Sequence, residues 1–156
     1  MIDSLTLALF FHLLGALMFV AGIVLAGVAF ESARRRQQPG EIAALLGLSR
    51  IGAGLVAVGG LMLPIFGLWL VHLGGFRLGT GWISWALLLY VVALGLGGVG
   101  GRRPKEARLL ATRLATEGAV VTDELRGLLD DRASRIQNYA SGALVLVIFA
   151  LMVFKP

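Results

Sequence analysis

Two histidines, one tyrosine and one methionine are the residues of this chain whose types and places could carry chemistry. His12 lies in FFHLLGALMFVAG, residues 10–22, where every other residue is apolar or glycine. His72 lies in GLWLVHLGG, and Tyr90 lies in WALLLYVVAL. An ionisable side chain in such a setting is costly and is a functional candidate by default. It either finds a hydrogen-bond partner or holds a ligand. A bond between His12 and Tyr90 would satisfy both groups, as buried polar groups generally require. A b-type haem can be held by histidine without cysteine, so His12 with His72 is the ligand reading. Met62 is an alternative soft axial ligand, and copper is an alternative metal.

Depth and direction weigh on that pair. His12 sits roughly 10 Å inside the outer edge of its apolar run, while His72 is at the rim of its own. At 100° per residue, His12 shares a narrow face with Ala8, Gly15, Phe19, Gly22 and Ala26. His72 shares a face with Leu61, Ile65 and Leu68, away from the small side made by Gly52, Gly59, Gly60 and Gly67. Small faces are where membrane helices meet, so His12 is expected to point into a bundle.

Other chemistry is poorly supplied. The chain has no cysteine, which excludes disulfides, iron–sulfur clusters, c-type haem and thiolate zinc sites. No nucleophile–base–orienter set appears. GLGGVG follows an apolar helix and not a strand, so it lacks the context of a nucleotide fingerprint. The apolar runs hold no acidic residue, which disfavours ion-coupled transport.

The elements that position these residues follow from hydropathy. Of 156 residues, 58% are hydrophobic and 15% charged, and the mean hydropathy is +0.87. A soluble domain carries about 25% charged residues. Four runs are long enough to cross a bilayer, which takes roughly 20 apolar residues. They are about 5–29, 51–73, 81–101 and 136–154. The first has Asp3 and no basic residue before Arg34, so it reads as a retained span and not a signal peptide.

The net charge of +5 has a topological explanation. Twelve of the fourteen basic residues fall in the first and third connections. Basic loops stay cytoplasmic, so both termini are expected outside, and a nucleic-acid partner is unnecessary. Trp82 and Trp85 then open the third span at the outer interface, where amphipathic rings are favoured.

Local signals complete the outline. Ser4 is a cap for the first helix, which is expected to reach Gln38 before Pro39-Gly40 turns the chain. The second helix is expected from Glu41 to about Leu73. Pro64 inside it lacks an N–H for the Gly60 carbonyl, so a kink is expected there. Residues 102–135 are the one sizeable polar segment. Ala107, Leu110, Ala111 and Leu114 form an apolar stripe, expected to lie on the inner membrane surface. Gly118 is a stop and Thr122 a cap. Arg126 with Asp130, and Asp131 with Arg135, have the spacing of helix-surface ion pairs.

HLLGALMFVAG, GLWLVHLGGF leading to GTGWISWALLLY, and the closing LMVFKP together resemble the small bacterial integral-membrane proteins of domain-of-unknown-function family 2269. The order covers nearly the whole chain. The first-span histidine is more remotely similar to copper-resistance D-type proteins and membrane protoporphyrinogen oxidases. That resemblance implies haem or copper chemistry at His12.

The expected architecture is all-α: a polytopic, antiparallel four-helix bundle in a bacterial inner membrane, in contact with lipid. The leading functional expectation is a non-enzymatic subunit that associates with another membrane protein or with itself, which 22 glycines favour. The alternatives are a b-haem or copper redox protein using His12, and a small transporter. A periplasm-active reporter fused after Pro156 is expected to be active. Cytoplasmic activity of a fusion there would reverse the topology.

Overall fold

The computed structural model describes residues 3–154, and every regular element among them is α-helical. Six helices follow in order: α1 (Ser4–Arg34), α2 (Pro39–Leu73), α3 (Gly81–Gly100), α4 (Arg102–Thr116), α5 (Asp123–Leu129) and α6 (Arg132–Phe154). Four helical runs are long and apolar enough to cross a membrane: α1, α2, α3 continued by α4, and α5 continued by α6. An all-helical answer is what lipid demands, since each backbone polar group must be satisfied within its own segment.

The boundaries correct several local expectations. Asp3 and not Ser4 caps α1, its carboxylate accepting from the Thr6 N–H at 2.8 Å. A carboxylate suits the positive end of a helix better than a hydroxyl does. The helix stops at Arg34, short of Gln38. Helix α2 begins at Pro39, whose missing N–H costs nothing in a first turn. Gly118 ends α4 at φ +65°, with the Ala119 N–H reaching back to the Leu114 carbonyl at 2.9 Å. Thr122 caps α5 through the Leu125 N–H.

Two pairs of long helices carry the apolar part. Along α1 and α2 the backbones themselves touch. A methyl placed on Gly22 would lie 2.6 Å from the Gly52 carbonyl oxygen, and one on Gly59 would lie 2.6 Å from the Phe19 nitrogen. Gly15, Phe19 and Gly22 are buried there, as the helical wheel requires. The α3–α6 pair uses small and polar residues instead. Ser141 donates to the Ala93 carbonyl at 2.9 Å, and Ser134 and Asn138 both donate to the Gly100 carbonyl.

A different core forms at the polar end. Phe30 and Ala33 of α1, Ile42 and Leu46 of α2, Ala107, Ala111 and Leu114 of α4, and Leu125 and Leu129 of α5 make one buried cluster. This overturns the expectation that segment 102–117 lies on the membrane surface. Gly101 stays in the right-handed helical region (φ −77°, ψ −9°), so α4 runs on from α3. Its apolar stripe is then covered by the start of α2 and by α5, and Ala107 and Ala111 are fully buried.

The two surface ion pairs are also replaced. Arg126 donates to the Arg34 carbonyl at 2.9 Å, to the Arg36 carbonyl, and to Gln37 at 2.7 Å. Asp130 takes Arg34 at 2.7 Å. Asp131 accepts the Ser134 N–H at 2.8 Å at the start of α6. Bare carbonyls past the end of α1 outcompete a neighbouring carboxylate, because a solvated i,i+4 pair is worth only about 0.2–0.5 kcal/mol.

The seam makes a sharp prediction. Gly22→Val and Gly59→Val should each destabilise the protein by about 1–3 kcal/mol through overpacking. Gly54→Ala meets nothing within 4 Å and should be neutral. Thermal unfolding in detergent, followed by circular dichroism, measures the difference.

Candidate functional site

Two polar side chains of the spans, His12 and Tyr90, converge on one stretch of α2, residues 60–67. Pro64 sits in its middle. Having no N–H, it cannot serve the Gly60 carbonyl four residues back, which an unbroken helix would satisfy. The Tyr90 hydroxyl, arriving from α3, donates to that carbonyl. Its ring lies 6.3 Å from the Phe19 ring, centroid to centroid. So the phenol supplies from a neighbouring helix the donor that proline removed.

His12 serves the next turn. Its Nδ1 lies 3.1 Å from the Leu63 carbonyl oxygen. A carbonyl only accepts, so Nδ1 carries the proton, and in the neutral ring Nε2 keeps its lone pair. Gly67 makes room for the ring. A methyl there would meet His12 Cε1 at 3.1 Å and Nδ1 at 3.2 Å. Phe11 stacks on Phe66 alongside, centroids 4.9 Å apart.

His12 and Tyr90 therefore do not bond each other; each takes its own α2 carbonyl. The reason is register. Their acceptors, on Leu63 and Gly60, are three residues apart, roughly 4.5 Å along the helix. Spacing within each span fixed depth only to about a turn.

The other proposed ligands are not brought to His12. His72 occupies the last turn of α2 and is exposed. It stands nine residues beyond Leu63, roughly 14 Å along the axis, and about 140° around the helix from Gly67. Met62 belongs to the seam, its Cβ 2.8 Å from where a methyl on Gly15 would be. Among the described residues, no group of three His, Cys, Asp or Glu side chains could hold a metal ion.

A second polar cluster was not singled out from sequence. Glu31, just beyond the first apolar run, accepts from Tyr139 of α6 at 2.8 Å and pairs with Arg34 at 2.8 Å. Arg135 of α6 approaches the same carboxylate at 3.7 Å. Arg34 continues to Asp130. The only signal in the sequence is an acidic residue at the end of an apolar run, three residues before an arginine.

The family model for DUF2269, described as a predicted integral membrane protein, matches residues 6–156. The chain belongs to this family. Its four long apolar helices agree with that description, and it is an integral membrane protein. Searches of curated proteins and of solved structures found no match. Membership in DUF2269 thus gives a membrane setting and no reaction, which leaves function to the geometry.

The proline repair can be measured. Tyr90→Phe leaves the Gly60 carbonyl without its donor and should cost about 0.6–2 kcal/mol, the range for interhelical hydrogen bonds in lipid. In a Pro64→Ala background the restored backbone N–H can serve Gly60, and the same change should cost well under half as much. A double-mutant cycle of unfolding free energies reads the coupling. Equal costs in the two backgrounds would refute the repair.

Proposed function

We propose that this protein is a non-enzymatic structural subunit of the bacterial inner membrane. It assembles through its α3–α6 face with another membrane protein or with copies of itself. The observation that carries this reading is where the glycines go. Gly15, Gly22, Gly52 and Gly59 are consumed by the α1–α2 seam, and Gly97 and Gly100 face α6. Gly95 and Gly98 of α3 and Gly142 of α6 have nothing within 4 Å of a Cβ. The most apolar window of α5–α6 buries none of its residues. Small residues allow close backbone approach between membrane helices, so these open glycines suit a helix from outside the chain. The polar side chains of the spans are meanwhile engaged in holding helices together, which fits a structural role.

One observation favours a second reading, a b-haem or copper protein. Metal-binding histidines usually give their other N–H to a carbonyl or carboxylate, and His12 does so to Leu63. A two-histidine site does not fit, because His72 lies on another face of α2 near its end. Met62 is packed in the seam.

One purification tests both. In mild detergent, light scattering should give a mass above one chain, or a stoichiometric second membrane subunit. Gly98→Leu, tolerated by the single chain, should return it to one copy. A single copy at every protein-to-detergent ratio, with no companion, would overturn the proposal. A Soret band lost in His12→Ala would establish the second reading in its place.

A further inference from the structure

The polar end holds a groove between α4 and α5, of about 540 Å³, that the fold does not use. Its floor is apolar: Leu109, Leu110 and Leu128, with Gly127 between the walls. Leu109 is 53% exposed. It belongs to the polar segment beyond the apolar runs, so lipid tails do not account for it. The rim carries three carboxylates, Glu106, Glu124 and Asp131, against one arginine, Arg103. Arg103 is held by Glu106 at 3.3 Å. The groove is therefore net acidic on a chain whose net charge is +5.

Its lining follows one stripe of α4, residues 103, 106 and 110, faced by Glu124, Gly127 and Leu128 of α5 and by Asp131 just past the end of α5. The α4 stripe spans seven residue steps, so the groove runs about two helical turns, roughly 10 Å. Gly127 meets nothing within 4 Å of a Cβ, which lets another backbone come close. A groove two turns long, with an apolar floor and one sign of charge on its rim, has the form that receives an amphipathic helix.

We propose that this groove docks a basic amphipathic helical segment of a partner protein. Apolar side chains spaced three or four apart seat on Leu110 and Leu128, and Lys or Arg side chains flanking them meet Glu106 and Glu124. The proposal stands apart from assembly through the α3–α6 face, because it concerns water-exposed residues at the polar end.

The test uses full-length protein in phosphatidylcholine nanodiscs, which give a cationic probe little charge to adsorb to. The probe is a 14-residue Leu/Lys peptide with segregated faces, labelled for fluorescence anisotropy. A scrambled peptide of the same composition is its control. The segregated peptide should bind saturably and at least about tenfold more tightly than the scrambled one, and binding should weaken with salt. Glu124→Lys should weaken it at least about tenfold, as charge reversal at a complementary rim predicts. Glu106→Gln should weaken it less, and serves if the short α5 does not tolerate Glu124→Lys. Glu117→Lys, outside the groove, should leave binding unchanged. Because the chain has no cysteine, a disulfide can place the peptide. A peptide with one Cys on its apolar face should trap Gly127→Cys and not Val120→Cys. Equal binding to empty nanodiscs, equal binding by Glu124→Lys, or equal trapping at both positions overturns the proposal. A Gly127→Cys disulfide that joins two copies of this chain without peptide also overturns it.

Discussion

Backbone contact between α1 and α2 is the constraint on which the rest of the structure depends. Their glycines face one another so closely that a methyl on Gly22, Gly52 or Gly59 would fall within 2.8 Å of main-chain atoms across the seam. That distance brings a short side chain such as the imidazole of His12 within reach of a carbonyl on α2. It places Phe19 against Gly60, beside the Tyr90 hydroxyl. A seam set wider by larger residues would leave the Leu63 carbonyl out of reach of His12. Without Tyr90 of α3, Pro64 would be an unrepaired break in a medium with no water to fill it.

The protein is held by two kinds of packing, divided by solvent. Lipid tails are as apolar as leucine, so helices in the bilayer gain nothing from merely hiding apolar side chains. The α1–α2 seam and the Ser134, Asn138 and Ser141 bonds to α3 are the answers available there. At the polar end water is present and burying apolar area is favourable. There Ile42, Leu46, Leu125 and Leu129 are wholly enclosed. The cluster of Glu31, Arg34, Asp130, Arg135 and Tyr139 sits between the two regimes and ties α1 to the start of α6.

This division gives His12 and Tyr90 their meaning. Both side chains repair or reinforce the α2 backbone on either side of its proline. The histidine retains one free nitrogen, and neither His72 nor Met62 is set against it. On the proposed reading, the surface left for partners is the open glycines on α3 and α6 and the acidic groove at the polar end.

Hydropathy alone determined the four spans, the all-α class and the face of α1 that carries His12, Gly15, Phe19 and Gly22. Those features follow from the length of apolar runs and a fixed angle per residue, which are local properties. It also marked Gly60 as the carbonyl that Pro64 leaves unserved. Only the tertiary structure decided which donor comes to it, because register between helices far apart in sequence is set by how their surfaces mesh. A shift of one turn sent Tyr90 to Gly60 and His12 to Leu63. The same limit applied to α4, whose stripe fits a membrane surface and a protein core equally well. The helical continuation through Gly101 chose the core, since it carried Ala107 and Ala111 to Ile42 and Leu46 before lipid could cover them.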